Sequence, residues 1–158
     1  MNKIWAPWRI KYVKKAKGKK CVLCIASKNK KLDKKYFVVV RSKFCYSILN
    51  IYPYNNGHFM VCPVRHIKNI EDLKKDEALD LFDVIKRTKK LTDKVLRPQG
   101  YNIGTNLGRM AGAGIDDHIH IHVVPRWEGD TSFMSVISNV KVIPQSLKNL
   151  YNSLIKVK

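Results

Sequence analysis

The most informative part of the sequence is His118-Ile119-His120-Ile121-His122-Val123-Val124-Pro125-Arg126. Histidines alternate with aliphatic residues, and a period of two is typical of a β-strand with one buried face. The alternation predicts a strand whose three imidazoles share a face, with successive rings roughly 6.6 Å apart. Imidazole suits nucleophilic and acid–base chemistry near neutral pH, but it also binds zinc. A three-histidine metal site is therefore an alternative.

The length of 158 residues is sufficient for one domain with a substantial core. We predict a single domain over 1–158, with a basic N-terminal arm (1–20), a core (21–127) and a C-terminal extension (128–158). No apolar run approaches the roughly 18–20 residues of a membrane helix, and the N-terminus has no signal-peptide apolar region. The prediction is a soluble, cytoplasmic protein with no membrane partner.

The formal net charge of +19 favours partners that carry phosphate. A nucleotide and a nucleic acid fit this charge equally well, although a lysine-rich composition also explains it. The aromatic residues and lysines form no known nucleic-acid reader motif, so nucleic acid is the less favoured partner.

Cys21-Val22-Leu23-Cys24 has the Cys-x-x-Cys spacing with which two thiolates can hold one zinc ion. A redox pair and chance spacing are the alternatives, because tetrahedral zinc needs two further ligands. Cys45 and Cys62 stand in strand-like runs and are predicted to be small core residues. Without a secretory signal, no disulfide is expected.

Apart from the histidine stretch, β-branched and aromatic content predicts strands at residues 36–40, 44–49, 58–62 and 101–107, with a possible short strand at 141–143. The segment 50–57 is rich in turn formers and predicts a loop. Residues 108–114 are rich in glycine, which lets backbone N–H groups approach phosphate oxygens closely.

Asn69 resembles a helix N-cap, with Glu71 and Asp72 in the first turn. Helical spacing predicts a long helix over 75–96, and residues 144–155 predict a closing helix. The predicted core face of the long helix consists of Ala78, Leu81, Phe82, Ile85, Thr92 and Val95.

The pattern at 118–124, in which three histidines alternate with apolar residues and two apolar residues follow, resembles the signature of the histidine triad (HIT) family. The resemblance implies an α+β, HIT-like fold with an antiparallel sheet of about five strands, a long helix packed across it, and a homodimer. Trp5–Arg9 and Pro125–Asp130 resemble the bacterial and archaeal diadenosine tetraphosphate phosphorylase-like branch.

The family resemblance also implies roles for individual residues. It implies His120 as the nucleophile, for which we expect an exposed ring, and His122 as a hydrogen-bond donor to phosphate, with His118 beside them in the catalytic row. Substrate contacts are implied for Asn50, His58, Asn106, Gly112 and His122. A structural Zn²⁺ is implied on Cys21, Cys24, His66 and His118. Gly114 stands where many members carry a hydroxyl residue.

These observations predict a nucleotidyl hydrolase or transferase that cleaves dinucleoside polyphosphates at an α-phosphate through a covalent nucleotidyl-histidine. One alternative is hydrolysis of another nucleoside monophosphate derivative, a phosphoramidate. Another is a non-catalytic, basic, zinc-containing protein that binds nucleotides or nucleic acid. The sequence leaves open whether water or phosphate accepts the nucleotidyl group, and which base and phosphate-chain length are preferred.

Overall fold

The computed structural model describes residues 21–131 and 142–158. Its helices are α1 (Val22–Lys28), α2 (Asp33–Tyr36), α3 (Lys75–Leu96) and α4 (Leu147–Lys156). Its strands are β1 (Val38–Arg41), β2 (Cys45–Leu49), β3 (Phe59–Pro63), β4 (Gly100–Gly104) and β5 (Ile121–Arg126). Short 3₁₀ turns lie at Lys30–Leu32, Ile70–Asp72 and Arg109–Ala111.

The five strands form one antiparallel sheet in the order β1-β2-β3-β5-β4. The last strand in sequence, β5, is therefore inserted between β3 and β4. His122 is paired with Met60 on one side and with Gly104 on the other. This register places His122 in the interior of the sheet and away from its edges.

Each face of the sheet packs against different helices. On one face, α3 and α4 bury Leu81, Val84, Leu150 and other residues against the sheet, including Phe59. On the other face, α1 covers a second cluster that includes Tyr46, Ile48 and Met60. Directly paired residues point to the same face, so His122, the partner of Met60, lies on the α1 side. None of the described helices is long and apolar enough to cross a membrane.

The loop between β2 and β3 approaches the end of α3 very closely at Gly57. Its φ of +72° lies in the left-handed region, and a Cβ atom there would lie 2.5 Å from Leu96 Cδ1. Only glycine meets both requirements without strain. Gly57 therefore fixes how the loop enters β3.

The predicted fold is confirmed: a five-stranded antiparallel sheet with a long helix whose bounds, 75–96, are those predicted. The prediction that the whole stretch from residue 118 is a strand was wrong, because β5 begins at Ile121. Its partner β3 ends at Pro63, which has no N–H group to continue the ladder. Ile119 N–H instead donates to the carbonyl of Ile67 at 2.8 Å. His118 therefore leaves the regular sheet.

Several smaller predictions were also wrong. Phe82 is 67% exposed and lies outside the core face of α3, whose buried residues include Val84 and Thr88 instead. Tyr36 ends α2, so β1 begins two residues later than predicted. Residues 142 and 143 form no strand. Asn69 is confirmed as an N-cap with Glu71 and Asp72 in the first turn, but it caps a 3₁₀ turn that precedes α3 and not the long helix itself. The arm 1–20 and residue 141 lie outside the described residues.

Candidate active site and metal cluster

A cavity of about 440 Å³ opens on the α1 side of the sheet. Its apolar wall includes Val22, Leu23, Tyr36, Ile48 and Ile115. Its polar wall includes Asn50, His120 and His122, together with the backbone of Gly112 and Gly114. An apolar cleft with a few converging polar groups is typical of a small-molecule site. Its size and composition suit a nucleoside with one phosphate at the histidine end.

His120 lines this cavity, and one of its ring nitrogens is already committed. Nδ1 lies 2.9 Å from the carbonyl oxygen of His118. A carbonyl only accepts hydrogen bonds, so Nδ1 carries the proton and Nε2 keeps a lone pair. The prediction that this ring is exposed was wrong: the residue is 4% exposed, and the ring is accessible only through the cavity. Burial lowers the pKa of His120, which keeps the imidazole neutral and nucleophilic at pH 7.

The tautomer of His122 is set by a chain of hydrogen bonds that begins at a backbone amide. Tyr54 N–H donates to His58 Nδ1 at 3.0 Å. His58 must then carry its proton on Nε2, which lies 2.9 Å from His122 Nδ1. His122 Nδ1 therefore accepts, and its proton lies on Nε2. This leaves His122 with an N–H donor for a phosphate oxygen.

Four residues predicted as metal ligands come together at the His118 end of the histidine stretch. The ligand atoms of Cys21, Cys24, His66 and His118 all lie within 4.8 Å of one another. His118 Nδ1 is 3.4 Å from each of the two sulfur atoms, and His66 Nδ1 is 3.2 Å from Cys24 Sγ. Tetrahedral zinc separates a sulfur and a nitrogen ligand by roughly 3.6 Å. The cluster can therefore hold such an ion.

The surroundings of the cluster support metal binding. His118 Nε2 lies 3.0 Å from the carbonyl oxygen of Pro63, which directs the lone pair of Nδ1 toward the cysteines. Burial and the neighbouring Cys21 raise the pKa of the Cys24 thiol to about 11 in the metal-free cluster. A bound cation must displace that proton, so metal binding will be stronger at higher pH.

The remaining predicted substrate residues differ in their placement. Asn50 lines the cavity, and its Oδ1 accepts from Tyr52 N–H at 2.9 Å. Asn106 is not among the described residues that line the cavity. Its Nδ2 instead lies beside Gly112, 3.9 Å from where a Cβ would be. Arg126 does not line the cavity either, and its Nε donates to Asp130 Oδ2 at 2.6 Å.

Sequence reasoning missed the cavity residues contributed by α1 and the role of Tyr54. The apolar pair Val22-Leu23 inside the Cys-x-x-Cys segment was a usable signal, because its position predicts a wall close to any site near the cysteines. Tyr54 acts on His58 through its backbone N–H, which leaves no signature in the sequence.

The HIT domain family matches residues 31–129, most of the described core. The chain belongs to the HIT domain family. The protein is 38% identical over 156 residues to an AP-4-A phosphorylase of Mycobacterium tuberculosis. The alignment covers 94% of this chain and 80% of that relative. It is 30% identical over 115 residues to a bis(5'-nucleosyl)-tetraphosphatase (asymmetrical) of Schizosaccharomyces pombe, covering 72% of this chain and 63% of the yeast protein.

Among solved structures, a Zn-bound histidine triad family protein from Mycobacterium smegmatis superposes on this HIT protein with a TM-score of 0.68. The two are 26% identical in sequence, over 86% of this chain and 91% of the other. This likeness agrees with the sheet and the helix arrangement described above.

Two histidines should make the stability of this HIT protein dependent on pH. Burial, with the neighbouring His122, lowers the pKa of His58 from 6.5 to about 3, and burial with His120 lowers the pKa of His122 to about 4. In the unfolded chain these imidazoles take up protons as the pH falls through about 6.5, whereas in the folded protein they stay neutral. The free energy of unfolding is therefore highest above pH 6.5 and decreases as the pH falls. Each residue should remove about 1.4 kcal/mol of unfolding free energy per pH unit between pH 6 and its folded-state pKa.

Urea unfolding of the wild type and of His58→Gln between pH 7 and pH 4.5, both with excess zinc, measures this dependence. Below pH 6, the variant should lose stability less steeply, by about 1.4 kcal/mol per pH unit. Equal slopes for the two proteins would contradict the assignment of His58 as a buried neutral imidazole.

Proposed function

We propose that this HIT protein cleaves dinucleoside polyphosphates at an α-phosphate, with the nucleotidyl group carried transiently on His120 Nε2. The observation that carries the proposal is the hydrogen bond from His120 Nδ1–H to the His118 carbonyl. This bond leaves the lone pair of Nε2 free to act as a nucleophile, on a ring that lines the cavity. Relatives named as an AP-4-A phosphorylase and a bis(5'-nucleosyl)-tetraphosphatase support this substrate class.

In the first step, the lone pair of His120 Nε2 attacks the α-phosphorus, and the bond from phosphorus to the bridging oxygen breaks. The remaining nucleotide leaves with that electron pair. The imidazole becomes positively charged, and its Nδ1–H group remains hydrogen-bonded to the His118 carbonyl, which stabilises that charge. No external base is needed, because the ring is neutral before the attack.

His122 and the glycine-rich loop act on the phosphate oxygens during this step. His122 Nε2–H can donate to a non-bridging oxygen, and the backbone at Gly112 and Gly114 lines the same cavity. Donors fixed in advance at a developing charge are worth far more in a dry site than in water. In the second step, water or inorganic phosphate attacks the same phosphorus and releases His120.

We further propose that Cys21, Cys24, His66 and His118 hold a structural zinc ion. Bound there, zinc supplies folding free energy, because it joins the start of α1 to the chain that leads into β5. His118 would then be a ligand, and the row of three histidines would keep two rings for the reaction.

We infer that two copies associate through β4. Within the described residues, no strand pairs with the outer edge of β4. Ile103 on this strand is 49% exposed. An unpaired edge that carries an exposed apolar side chain is suited to pairing with a second copy. Sedimentation equilibrium should give twice the chain mass of 18.3 kDa, and a stable monomer at micromolar concentration would contradict this.

The function is tested by incubating the purified protein with diadenosine tetraphosphate, with and without inorganic phosphate, and identifying the products. ATP and ADP that appear only with added phosphate indicate phosphorolysis, whereas ATP and AMP indicate hydrolysis. Either result supports the proposal. Tight binding without cleavage would contradict it and indicate a nucleotide sensor. Cleavage of adenosine phosphoramidate alone would show that the substrate class is wrong.

A further inference from the structure

The tautomers of His58 and His122 depend on a relay of two hydrogen bonds, from the Tyr54 amide to His58 and from His58 to His122. The loop between β2 and β3 must therefore keep the Tyr54 amide in place. The Tyr54 amide lies 3.0 Å from His58 Nδ1, and this bond decides which nitrogen of His58 carries the proton. If the amide moves away, His58 can adopt the other tautomer. His58 Nε2 would then no longer donate to His122 Nδ1, and His122 could carry its own proton on Nδ1. The next residue along the loop, Asn55, is therefore of interest.

Asn55 is 6% exposed and ties the loop to the far end of β5. Its Nδ2 donates to the carbonyl of Pro125 at 3.0 Å and to Asp130 Oδ2 at 2.8 Å. Its own Oδ1 accepts from the Asn56 amide at 3.1 Å, and its carbonyl accepts from the His58 amide at 3.2 Å. One side chain thus connects the loop, the end of the histidine strand and Asp130.

Asp130 is itself held rigidly. The side chain is 6% exposed, and its two oxygens accept from Arg126 Nε at 2.6 Å and Nη2 at 3.0 Å. Oδ2 also accepts from the Trp127 amide at 3.3 Å. Arg126 Nη1 reaches the edge strand β4, where it donates to Asn102 Oδ1 at 2.7 Å. The carboxylate therefore has a fixed position relative to both β5 and β4.

We propose that Asp130 is a positioning residue for the active site, since it fixes Asn55 and thereby the Tyr54 amide that selects the tautomers of His58 and His122. This inference deepens the proposed function and rests on it for its catalytic consequence. It gives a role to the Pro-Arg-Trp-Glu-Gly-Asp segment, none of whose side chains lines the cavity.

The carboxylate is needed because three donors converge on one of its oxygens. Asn55 Nδ2, Arg126 Nε and the Trp127 amide all bond to Oδ2. The substitution Asp130→Asn keeps the shape of the side chain but leaves one oxygen acceptor and adds two donors. Four donors bond to the carboxylate, whereas one amide oxygen has two lone pairs, so at least two donors lose their partner. The neutral Asn55 amide competes poorly with a guanidinium for the remaining oxygen.

The test uses full-length, zinc-loaded protein with ¹⁵N-labelled histidine. Long-range ¹H–¹⁵N spectra distinguish protonated from bare imidazole nitrogens and so report tautomers without any substrate. We expect single tautomers for His58 and His122 in the wild type and mixed tautomers in Asp130→Asn. On diadenosine tetraphosphate, kcat should fall roughly tenfold while KM changes by less than about twofold.

Two further variants complete the test. Asp83→Asn removes an exposed carboxylate on α3 that pairs only with Lys86 and Arg87 among the described ion pairs, and it should behave as the wild type. Asn55→Ser retains an acceptor for the Asn56 amide, but it replaces the two N–H donors of Nδ2 with one hydroxyl on a shorter side chain that cannot bond to both Pro125 and Asp130. It should therefore reproduce the Asp130→Asn spectrum even if that variant folds poorly.

Unchanged tautomers in a folded Asp130→Asn or Asn55→Ser protein would overturn the inference. So would mixed tautomers with an unchanged kcat. Failure of the wild type to cleave the dinucleoside would instead contradict the proposed function, and the spectra would still show whether Asp130 sets the histidine tautomers.

Discussion

The substitution His120→Asn should lower kcat for diadenosine tetraphosphate by at least about 10⁴-fold, because it removes the atom that forms the bond to phosphorus. Asparagine is chosen since its amide can still donate to the His118 carbonyl, as His120 Nδ1 does at 2.9 Å. The fold and the nucleotide affinity should therefore change little. Rapid-quench product analysis gives kcat, and isothermal titration with AMP gives the affinity.

A graded comparison separates the nucleophile from its neighbour. His122→Asn should cost roughly 10²–10³-fold, because it removes one donor to the transition state but leaves the nucleophile in place. Equal losses in the two variants would suggest that both rings act as one unit. Near-normal turnover by a folded His120→Asn protein would refute the assigned role.

The second large effect is expected at the metal cluster. Elemental analysis of metal-replete wild type should give one zinc per chain, and Cys24→Ser should give almost none. A ligand that binds only the folded state stabilises it by about 4 kcal/mol when its free concentration exceeds the Kd 1,000-fold. Loss of zinc should therefore lower the free energy of unfolding by at least that amount, and chelators should reproduce the loss in the wild type.

Cys45→Ala provides the control for this experiment. Cys45 is a fully buried thiol whose sulfur lies 3.5 Å from the Glu77 carbonyl, and it takes no part in the cluster. The variant should lose some stability through packing but retain its zinc. Wild-type protein without zinc after growth in zinc-supplemented medium would contradict the metal assignment, although the nucleotide chemistry would remain open to test.

Local sequence patterns predicted much of the fold, because helix periodicity and strand propensity depend on residues that are close together in the sequence. The spacing of apolar residues gave the bounds of α3, and strand propensity located β2 and β3 within one residue at each end. Alternation placed His122 and Val123 on opposite faces, as observed. The family resemblance supplied the ligand quartet, whose side chains the structure brings together.

Features that depend on distant contacts could not be predicted. Alternation says which face a residue occupies, but it does not say that β5 lies between β3 and β4. The departure of His118 from the strand follows from the end of β3 at Pro63, which is remote in sequence. The relay from Tyr54 to His122 depends on a backbone amide, and any residue at position 54 except proline would offer that donor.

The proposed covalent intermediate is tested most directly by the stereochemical course of the reaction at phosphorus. A dinucleoside tetraphosphate with a chiral α-thiophosphate is cleaved in the presence of phosphate, or in ¹⁸O-labelled water if water is the acceptor. Two successive displacements, onto His120 and then onto the acceptor, predict overall retention of configuration. Inversion would show a single direct attack and would contradict a nucleotidyl group carried on His120.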